Sequence, residues 1–389
     1  SKTYTLDKKE HHGLDPWVQW VSIHTGKPFK EHKVSRLGQT SSQKEEQIWN
    51  RISNLNSKRW GVWGVMNAPC GSQKGRDFFI PDPWSFEEVA YPAVLNDFLS
   101  LPRYVAKSYL DPQKTEILKN GLRTLSFIFR KFGKGIKRKI VWNAFKAFII
   151  TGINLHSFTT LLDYMSCIYF LEYKKQYKSD FSLIFLNHIA HLQHQFWNID
   201  SKISSQMKFG LIICDEILGE LKREVFPSEA LILINGFKQK NVANKGYFVY
   251  RQINPDKFIK IICPIKCKVR QNMTNDGSLI FNHSSDADKA EKLLKNIKLK
   301  YKNSNLFFIE RLNKNRIFYQ IEISKKVRKD EKIILKNKEI RFFDHIELIT
   351  ERTGAHIPQG DIFYRNINFP NELNNHEVFH YIEEYFKKS

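Results

Sequence analysis

Short apolar runs that end in glycine, proline or polar turns recur along much of the chain. They occupy residues 17–25, 60–67, 181–186 and 230–234, and the last two are separated by the helical pattern of residues 211–223. Short buried strands that alternate with helices are typical of a parallel sheet with helices on its faces. The pattern therefore predicts an α/β fold with a mostly parallel central sheet flanked by helices.

The first apolar run predicts a strand that presents Thr25 at its carboxyl end. The run is rich in valine, isoleucine and tryptophan, and it closes on Thr25, Gly26 and Pro28. The apolar residues favour a strand, while glycine and proline mark a turn. Because open α/β sheets place their chemistry at the carboxyl ends of strands, Thr25 is a candidate for chemistry. The alternative is that Thr25 and Gly26 only close a turn.

Two regions depart from this strand pattern. Residues 90–178 show long helical periodicity, interrupted by a basic run at residues 130–139, and predict a helical insertion beside the sheet. Residues 265–345 are lysine-rich and alternating, which predicts a smaller α+β lobe. We therefore expect an α/β core formed by residues 1–264 and 346–389, with the lobe between them.

The charge of the chain is strongly positive. Lysine and arginine number 62 against 40 aspartate and glutamate residues, a formal net charge of +22 on 389 residues. Such a surface favours anionic partners, such as a small molecule, glycan or lipid that carries a phosphate or sulfate ester. A nucleic-acid partner is a further alternative, but the basic run lacks the interleaved aromatic residues of a single-strand binding groove.

Cysteine usage and the chain start suggest a compartment. The five cysteines form no CxxC pair, and their odd number argues against a complete disulfide framework. The first residues are polar and lack the apolar core of a signal peptide, and no stretch reaches the roughly 20 apolar residues of a spanning helix. We therefore expect a soluble, cytoplasmic protein. The oligomeric state is not predictable from these features.

Four polar residues with metal-binding chemistry follow the third apolar run. Asn187, His188, His191 and His194 fall within eight residues. On a helix, positions 187, 191 and 194 share one face, so His191 and His194 could converge on one metal ion with Asn187 beside them. Imidazole nitrogens suit zinc. The alternative is a set of helix-surface histidines, and His356, in a glycine-flanked loop near the chain end, is a second source of ligand.

The order of these motifs resembles the alkaline-phosphatase superfamily, and within it the type I phosphodiesterase and nucleotide pyrophosphatase branch, with the sulfatases as relatives. The motifs are a strand that ends in Thr-Gly, a strand followed by Asn-x-x-x-His, and a Gly-x-His-x-Pro-x-Gly loop that leads into a strand. The resemblance implies an alkaline-phosphatase-like α/β fold. It also implies a metal-dependent hydrolase or transferase of phosphate or sulfate esters.

The resemblance implies roles for individual residues. Thr25 matches the nucleophile, which in the family is transiently esterified. His191 and His356 match ligands of one zinc-type divalent metal ion, Asn187 stands at the place of an aspartate ligand of that metal, and His194 lies beside them. Asparagine in place of aspartate removes a negative charge that would offset the cation.

The chain also departs from the family. The second metal of the family is held by an Asp-His pair after the next strand, and here the strand at residues 230–234 leads into Asn235, Gly236 and Phe237. The family carries a further aspartate on a strand before the nucleophile, and only 24 residues precede Thr25. Either that strand is missing from this sequence or the site is built without it. We therefore expect one metal site rather than two.

Other readings stay open. Asp344 with His345, or Asp276 and Asp286 near His283, could supply the missing acid and histidine ligands. A catalytically degenerate relative would keep the fold and an anion-binding surface as a binding or scaffold component. A basic nucleic-acid-binding protein is the third alternative, and it requires the basic residues to cluster on one face.

Overall fold

The computed structural model of the protein describes residues 1–5, 7, 14–40, 44–131, 133–197, 203–272, 274–336 and 338–388. The helices within these ranges are α1 Pro16–Thr25, α2 Phe29–His32, α3 Ile48–Asn56, α4 Leu95–Ser108, α5 Lys114–Lys131, α6 Lys134–Thr151, α7 Leu155–Tyr177, α8 His188–Phe196, α9 Ser205–Glu224, α10 Pro255–Ile262, α11 Ser284–Lys295 and α12 Val378–Lys388. The strands are β1 Lys2–Tyr4, β2 Trp60–Val65, β3 Arg76–Pro81, β4 Phe181–Ile184, β5 Leu231–Ile234, β6 Lys238–Asn241, β7 Tyr247–Gln252, β8 Lys268–Gln271, β9 Asp276–Ile280, β10 Lys298–Leu299, β11 Phe307–Asn313, β12 Arg316–Ile321, β13 Lys332–Leu335, β14 Lys338–Arg341, β15 Ile346–Arg352, β16 Gly354–Ile357, β17 Gln359–Arg365 and β18 Glu372–Asn374.

The predicted first strand is wrong, because its residues form helix α1. Pro16 occupies the first helical position, and Gly26 ends the helix in the left-handed region with φ of 70° and its N–H bonded to the Ser22 carbonyl. Proline at the start and glycine just past the end are a helix signature. The apolar periodicity was hidden because most of the helix is buried, including Gln19 and Thr25, so apolar side chains fall on nearly every face.

The predicted strands at residues 60–67, 181–186 and 230–234 are confirmed as β2, β4 and β5. Strand β2 pairs in parallel with both β3 and β4. Strand β17 lies between β1 and β5 and runs antiparallel to both, while β1 is parallel to β18. The α/β class therefore holds, but among the described strands only the β3-β2-β4 sheet is wholly parallel, so the expectation of a mostly parallel central sheet is wrong. Strand β17, near the end of the chain, runs opposite to β1 and β5 and makes their sheet mixed.

The helical periodicity predicted for residues 90–178 is confirmed as helices α4 to α7. Their apolar faces, together with helix α9, form one core with the parallel strands. Trp63 of β2 lies within this core, where the rings of Phe78, Phe98, Tyr169 and Tyr173 surround it at centroid distances of 5.5 to 6.5 Å. The insertion is thus anchored to the sheet by aromatic packing.

The contacts of the chain divide it into two compact units. Residues 1–241 and 354–389 form the first, and residues 242–353 form the second. The second unit contains a four-stranded antiparallel sheet in the order β11-β12-β9-β8, together with helices α10 and α11. Strands β7 and β15 and helix α10, which were predicted to belong to the core, fall in this second unit.

Within the described ranges, every helix is either too short or too polar to cross a bilayer.

Candidate functional site

Three strand ends, those of β1, β5 and the segment between β16 and β17, are linked by hydrogen bonds in the first unit. Thr5, directly after β1, donates its N–H to the carbonyl oxygen of Pro358 at 3.1 Å, two residues beyond His356. Asn235, directly after β5, donates its N–H to the Asp361 carbonyl at 3.2 Å and accepts the Asp361 N–H through its side chain at 2.7 Å. The carboxyl ends of β1 and β5 and the start of β17 therefore share one sheet edge.

The imidazoles of His194 and His356 face each other beside this edge. Their Nε2 atoms are 3.2 Å apart, and the ring of Phe237 packs against His356 at a centroid distance of 4.9 Å. Nδ1 of His194 lies 3.3 Å from the carbonyl oxygen of Gly354, so this nitrogen carries the proton and donates. Nε2 of His194 is then left with a lone pair that accepts from His356. An imidazole fixed in this way by a backbone carbonyl is typical of metal-binding histidines.

Close backbone contacts hold helix α8, which carries His194, against strands β6 and β16. Gln239 of β6 donates its side-chain N–H to the carbonyl oxygen of Ala190 at 2.8 Å. Gly354 of β16 passes so near helix α8 that a Cβ at this position would lie 2.5 Å from the carbonyl oxygen of Gln193. The missing side chain at Gly354 is therefore what lets the two imidazoles meet.

Asp163 of helix α7 caps the amino end of helix α8. Its Oδ2 accepts the backbone N–H groups of Asn187 at 2.6 Å and His188 at 2.7 Å, and it lies 3.0 Å from Nδ1 of the buried His188 ring. A carboxylate at a helix amino end satisfies free N–H groups and offsets the helix dipole. Asn187 occupies the cap position, but its own side chain makes no capping bond. The predicted role of Asn187 as a metal ligand stays a prediction.

The ring of His191 faces helix α7 rather than His356. It lies 5.7 Å, between ring centroids, from His156. Burial of the ring lowers the pKa of His191, the nearby His156 lowers it further, and Asp163 opposes both. Burial also lowers the pKa of His156. Among the contacts of the described residues, His356 meets His194, whereas the resemblance had joined it with His191.

Thr25 lies in the last turn of helix α1 with 4% of its surface exposed. Its hydroxyl donates to the carbonyl oxygen of Val21 at 2.6 Å and accepts the N–H of Lys27 at 3.4 Å. Gln19 of the same helix contacts Asp7 near the end of β1. Thr25 lies six residues beyond Gln19, about 9 Å farther along the helix axis. The hydroxyl thus serves the backbone of its own helix, and the predicted nucleophilic role of Thr25 stays a prediction.

Asp7 is a candidate that the sequence analysis missed. It follows β1, and its Oδ2 accepts the side-chain N–H of Gln19 at 2.8 Å and the Thr5 hydroxyl at 3.1 Å. Strand β1 lies before Thr25, in a part of the chain where the sequence pattern had predicted no strand. The signal was the run Thr3-Tyr4-Thr5, whose residues favour strands although they are mostly polar.

The other acid and histidine candidates lie in the second unit. Asp344 ends a short 3-10 turn before β15, and the His345 ring stacks on Phe258 at a centroid distance of 5.4 Å. Asp286 lies 3.9 Å from Lys289 in helix α11. These contacts are structural, and they bring none of these side chains to a shared centre.

The His194–His356 pair fits part of a metal site. Zn–N bonds of about 2.0 to 2.1 Å at tetrahedral angles place two ligand nitrogens about 3.3 Å apart, close to the observed 3.2 Å. The described residues contain no group of three or more His, Cys, Asp or Glu side chains that could hold a metal ion. The pair thus offers two nitrogens with the spacing of metal ligands, and the Gly354 carbonyl orients one of the two rings.

No protein-family model matches the chain, and no curated protein matches it. Among solved structures, the chain is similar to phosphonoacetate hydrolase from Sinorhizobium meliloti, with 10% identity, a TM-score of 0.46, and coverage of 99% of this chain and 86% of that chain. It is also similar to murine ectonucleotide pyrophosphatase/phosphodiesterase 5, with 8% identity, a TM-score of 0.40, and coverage of 96% and 84%. A likeness this distant transfers no residue role to this chain.

Proposed function

We propose that the protein is a metal-assisted hydrolase of phosphate or sulfate esters, in which His194 and His356 hold the metal ion. The observation that carries this proposal is the 3.2 Å separation of the two Nε2 atoms, with His194 oriented by the Gly354 carbonyl. Zinc is the metal of choice, because neutral imidazole suits it and because the nitrogen separation matches its tetrahedral geometry.

The chemistry follows from the residues that surround the pair. When bound, the divalent cation offsets negative charge on the ester and lowers the pKa of a coordinated water molecule. His194 keeps its Nε2 lone pair directed at the site because its Nδ1–H is held by the Gly354 carbonyl. Phe237 covers one side of His356 and limits water there. The net charge of +22 draws anionic substrates toward the surface.

The proposal does not use Thr25 as the nucleophile. Its hydroxyl is buried and bonded to Val21 within helix α1. Asp7 follows β1, whose carboxyl end is bonded to the segment after His356 through Thr5 and Pro358, and it forms no three-ligand group with the two histidines among the described residues. It is already oriented by Gln19, at 2.8 Å.

Metal binding by the full chain tests the proposal. Zinc stoichiometry is measured by elemental analysis and affinity by calorimetric titration, for the wild type and for the single variants His194→Ala, His356→Ala and His191→Ala. His283→Ala is the matched control, because His283 is exposed at the start of helix α11 in the second unit. We expect one zinc ion in the wild type and in the control, and at least about tenfold weaker binding in the His194 and His356 variants.

Turnover is then measured on para-nitrophenyl phosphate, bis-para-nitrophenyl phosphate and para-nitrophenyl sulfate with the zinc-loaded chain. We expect hydrolysis of at least one ester, lost in His194→Ala and His356→Ala and retained in His283→Ala. Zinc binding equal in all variants would reject the pair as the metal site. Zinc binding without any turnover would reject the enzyme and favour the degenerate binding component.

A further inference from the structure

Helix α6 carries an apolar stripe on its outer face. Val141, Trp142, Phe145, Phe148 and Ile149 are each more than half exposed, from 52% for Phe145 to 65% for Ile149. They follow the three- and four-residue spacing of one helix face. A surface helix normally directs a single apolar stripe at the core and a polar face at solvent, so an exposed stripe of this size marks an interaction surface.

The opposite face of helix α6 already fills the core. Ala147 is buried in the core of the first unit, and Ile136, Ile140 and Ile150 pack against that core. The outer stripe is therefore additional to what folding requires. The rings of Trp142 and Phe145 stack with centroids 5.7 Å apart, which presents a flat aromatic surface.

Helix α5 repeats this arrangement. Leu118, Leu122, Leu125 and Phe129 are exposed at the spacing of one helix face. Phe127 of the same helix is buried in the core. Two successive helices thus each bury one apolar face and expose another.

The exposed stripes lie in a strongly basic part of the chain. Residues 114–158 contain ten lysine and arginine residues and one glutamate. Lys134 and Arg138 are exposed, and they lie on the same face of helix α6 as Val141, Trp142 and Phe145 because they precede them by three, four and seven residues. The helix therefore presents cations and aromatic rings on one side.

We propose that the outer face of helices α5 and α6 binds the surface of an anionic lipid bilayer. Aromatic and aliphatic side chains enter the boundary between headgroups and acyl chains, while lysine and arginine meet the anionic headgroups. A second copy of the chain fits less well, because it would bring two strongly basic segments together. A nucleic acid would account for the cations but would leave the apolar stripe exposed. This inference does not depend on the proposed ester hydrolysis.

Co-sedimentation of the full chain with vesicles tests the proposal. One set of vesicles is phosphatidylcholine alone, and the other contains about one third phosphatidylglycerol to give an anionic surface. The aromatic variant is the double substitution Trp142→Gln and Phe145→Gln. Its matched control is Phe226→Gln with Phe363→Gln, whose side chains are 69% and 67% exposed elsewhere in the first unit.

A charge variant tests whether the cations of helix α6 act at this face or only through the net charge of the protein. Lys134→Glu with Arg138→Glu is compared with Lys314→Glu and Lys336→Glu, exposed lysines of the second unit, so that both proteins have the same net charge. Circular dichroism and thermal unfolding check that all four variants fold as the wild type does.

We expect the wild type to bind the anionic vesicles and to bind less as salt rises. The aromatic and charge variants should each lose at least about tenfold in partition coefficient, with both controls unchanged. Wild-type binding that is absent, or equal in all variants, would overturn the proposal. So would a wild-type dimer that the aromatic variant converts to a monomer without loss of vesicle binding, since a second copy would then be the occupant. Binding to single-stranded DNA that only the charge variant loses, without vesicle binding, would assign the face to nucleic acid instead.

Discussion

The hydroxyl of Thr25 donates a hydrogen bond of 2.6 Å to the carbonyl oxygen of Val21, one turn earlier in helix α1. This bond gives the hydroxyl a structural role in helix α1. The nucleophilic role that the motif order implies stays a prediction, and the two roles can be separated by experiment.

The first prediction concerns this hydroxyl. Thr25→Val keeps the size and branching of the side chain and removes the donor, so we expect ester turnover within about twofold of the wild type and a loss of about 1 kcal/mol in the free energy of unfolding. Turnover assays and urea unfolding measure the two effects. Thr25→Ser is the companion variant that keeps a hydroxyl. If Thr25→Val folds but loses all turnover while Thr25→Ser keeps it, Thr25 is the nucleophile after all.

The second prediction concerns pH. Burial lowers the pKa of His24 from 6.5 to about 4, against the opposing effect of its contact with the Met66 carbonyl. Between these two values the unfolded chain binds a proton that the folded chain does not, so the free energy of unfolding falls as pH drops through this window and His24 causes no further loss below it. The expected loss from His24 is about 3 kcal/mol. His32, whose pKa is also lowered to about 4 by burial and by His24, adds to the slope.

Urea unfolding measured across that window tests the second prediction. His24→Gln keeps a hydrogen-bond donor for the Met66 carbonyl and removes the titrating ring, so its stability should depend less steeply on pH than that of the wild type. Equal slopes for the two proteins would show that His24 is not the group responsible.

The third prediction concerns which residue caps the amino end of helix α8, Asp163 or Asn187. Asp163→Asn weakens acceptance of the two N–H groups at the amino end of helix α8, at 2.6 and 2.7 Å, and we expect a loss of about 1 to 2 kcal/mol in the free energy of unfolding. Asn187→Ala should cost much less, because the Asn187 side chain makes no capping bond. Chemical denaturation measures both. A larger loss for Asn187→Ala would contradict the assignment of the cap, and reduced zinc binding in Asn187→Ala would restore Asn187 as a ligand.

The fourth prediction concerns Gly354. In Gly354→Ala the added Cβ would lie 2.5 Å from the Gln193 carbonyl oxygen, so strand β16 and helix α8 must move apart. We expect a loss of about 1 to 3 kcal/mol in the free energy of unfolding and weaker zinc binding, because His356 moves away from His194. Gly219→Ala in helix α9 is the control, since a Cβ there meets nothing within 4 Å and should stabilise the helix by up to about 1 kcal/mol. Unchanged zinc affinity in Gly354→Ala would mean that the pair does not bind the metal.

Local patterns were enough for two kinds of element. Strand β5 is a compact run of four apolar residues, and residues 90–178 show a helical period because their helices bury apolar faces in the core. The period of helix α1 was not detectable from the sequence. Most of its faces are buried, so apolar and polar positions do not alternate with the helical period. Its Pro16 and Gly26 still gave the helix signature, which outweighs the strand preference of its valine and isoleucine residues.

The candidate site was readable only in part. The sequence selected His194 and His356 as candidates but joined His356 with His191, because positions 191 and 194 share a helix face and motif order favoured the former. Asp7 was missed because strand β1 has only three residues, all but one of them polar. Its existence depends on pairing with β17 and β18, which lie more than 350 residues away along the chain.

Composition and patterns within about twenty residues were enough to predict the α/β class, the helical periodicity of residues 90–178, the excess of positive charge and the candidate histidines. The direction of β17 against β1 and β5 and the pairing of His194 with His356 could be seen only in the folded chain. Both depend on contacts between segments that are distant along the chain. The close approach of Gly354 to the Gln193 carbonyl is one such contact. It is possible because glycine has no side chain, and the residues around Gly354 in the sequence do not predict it.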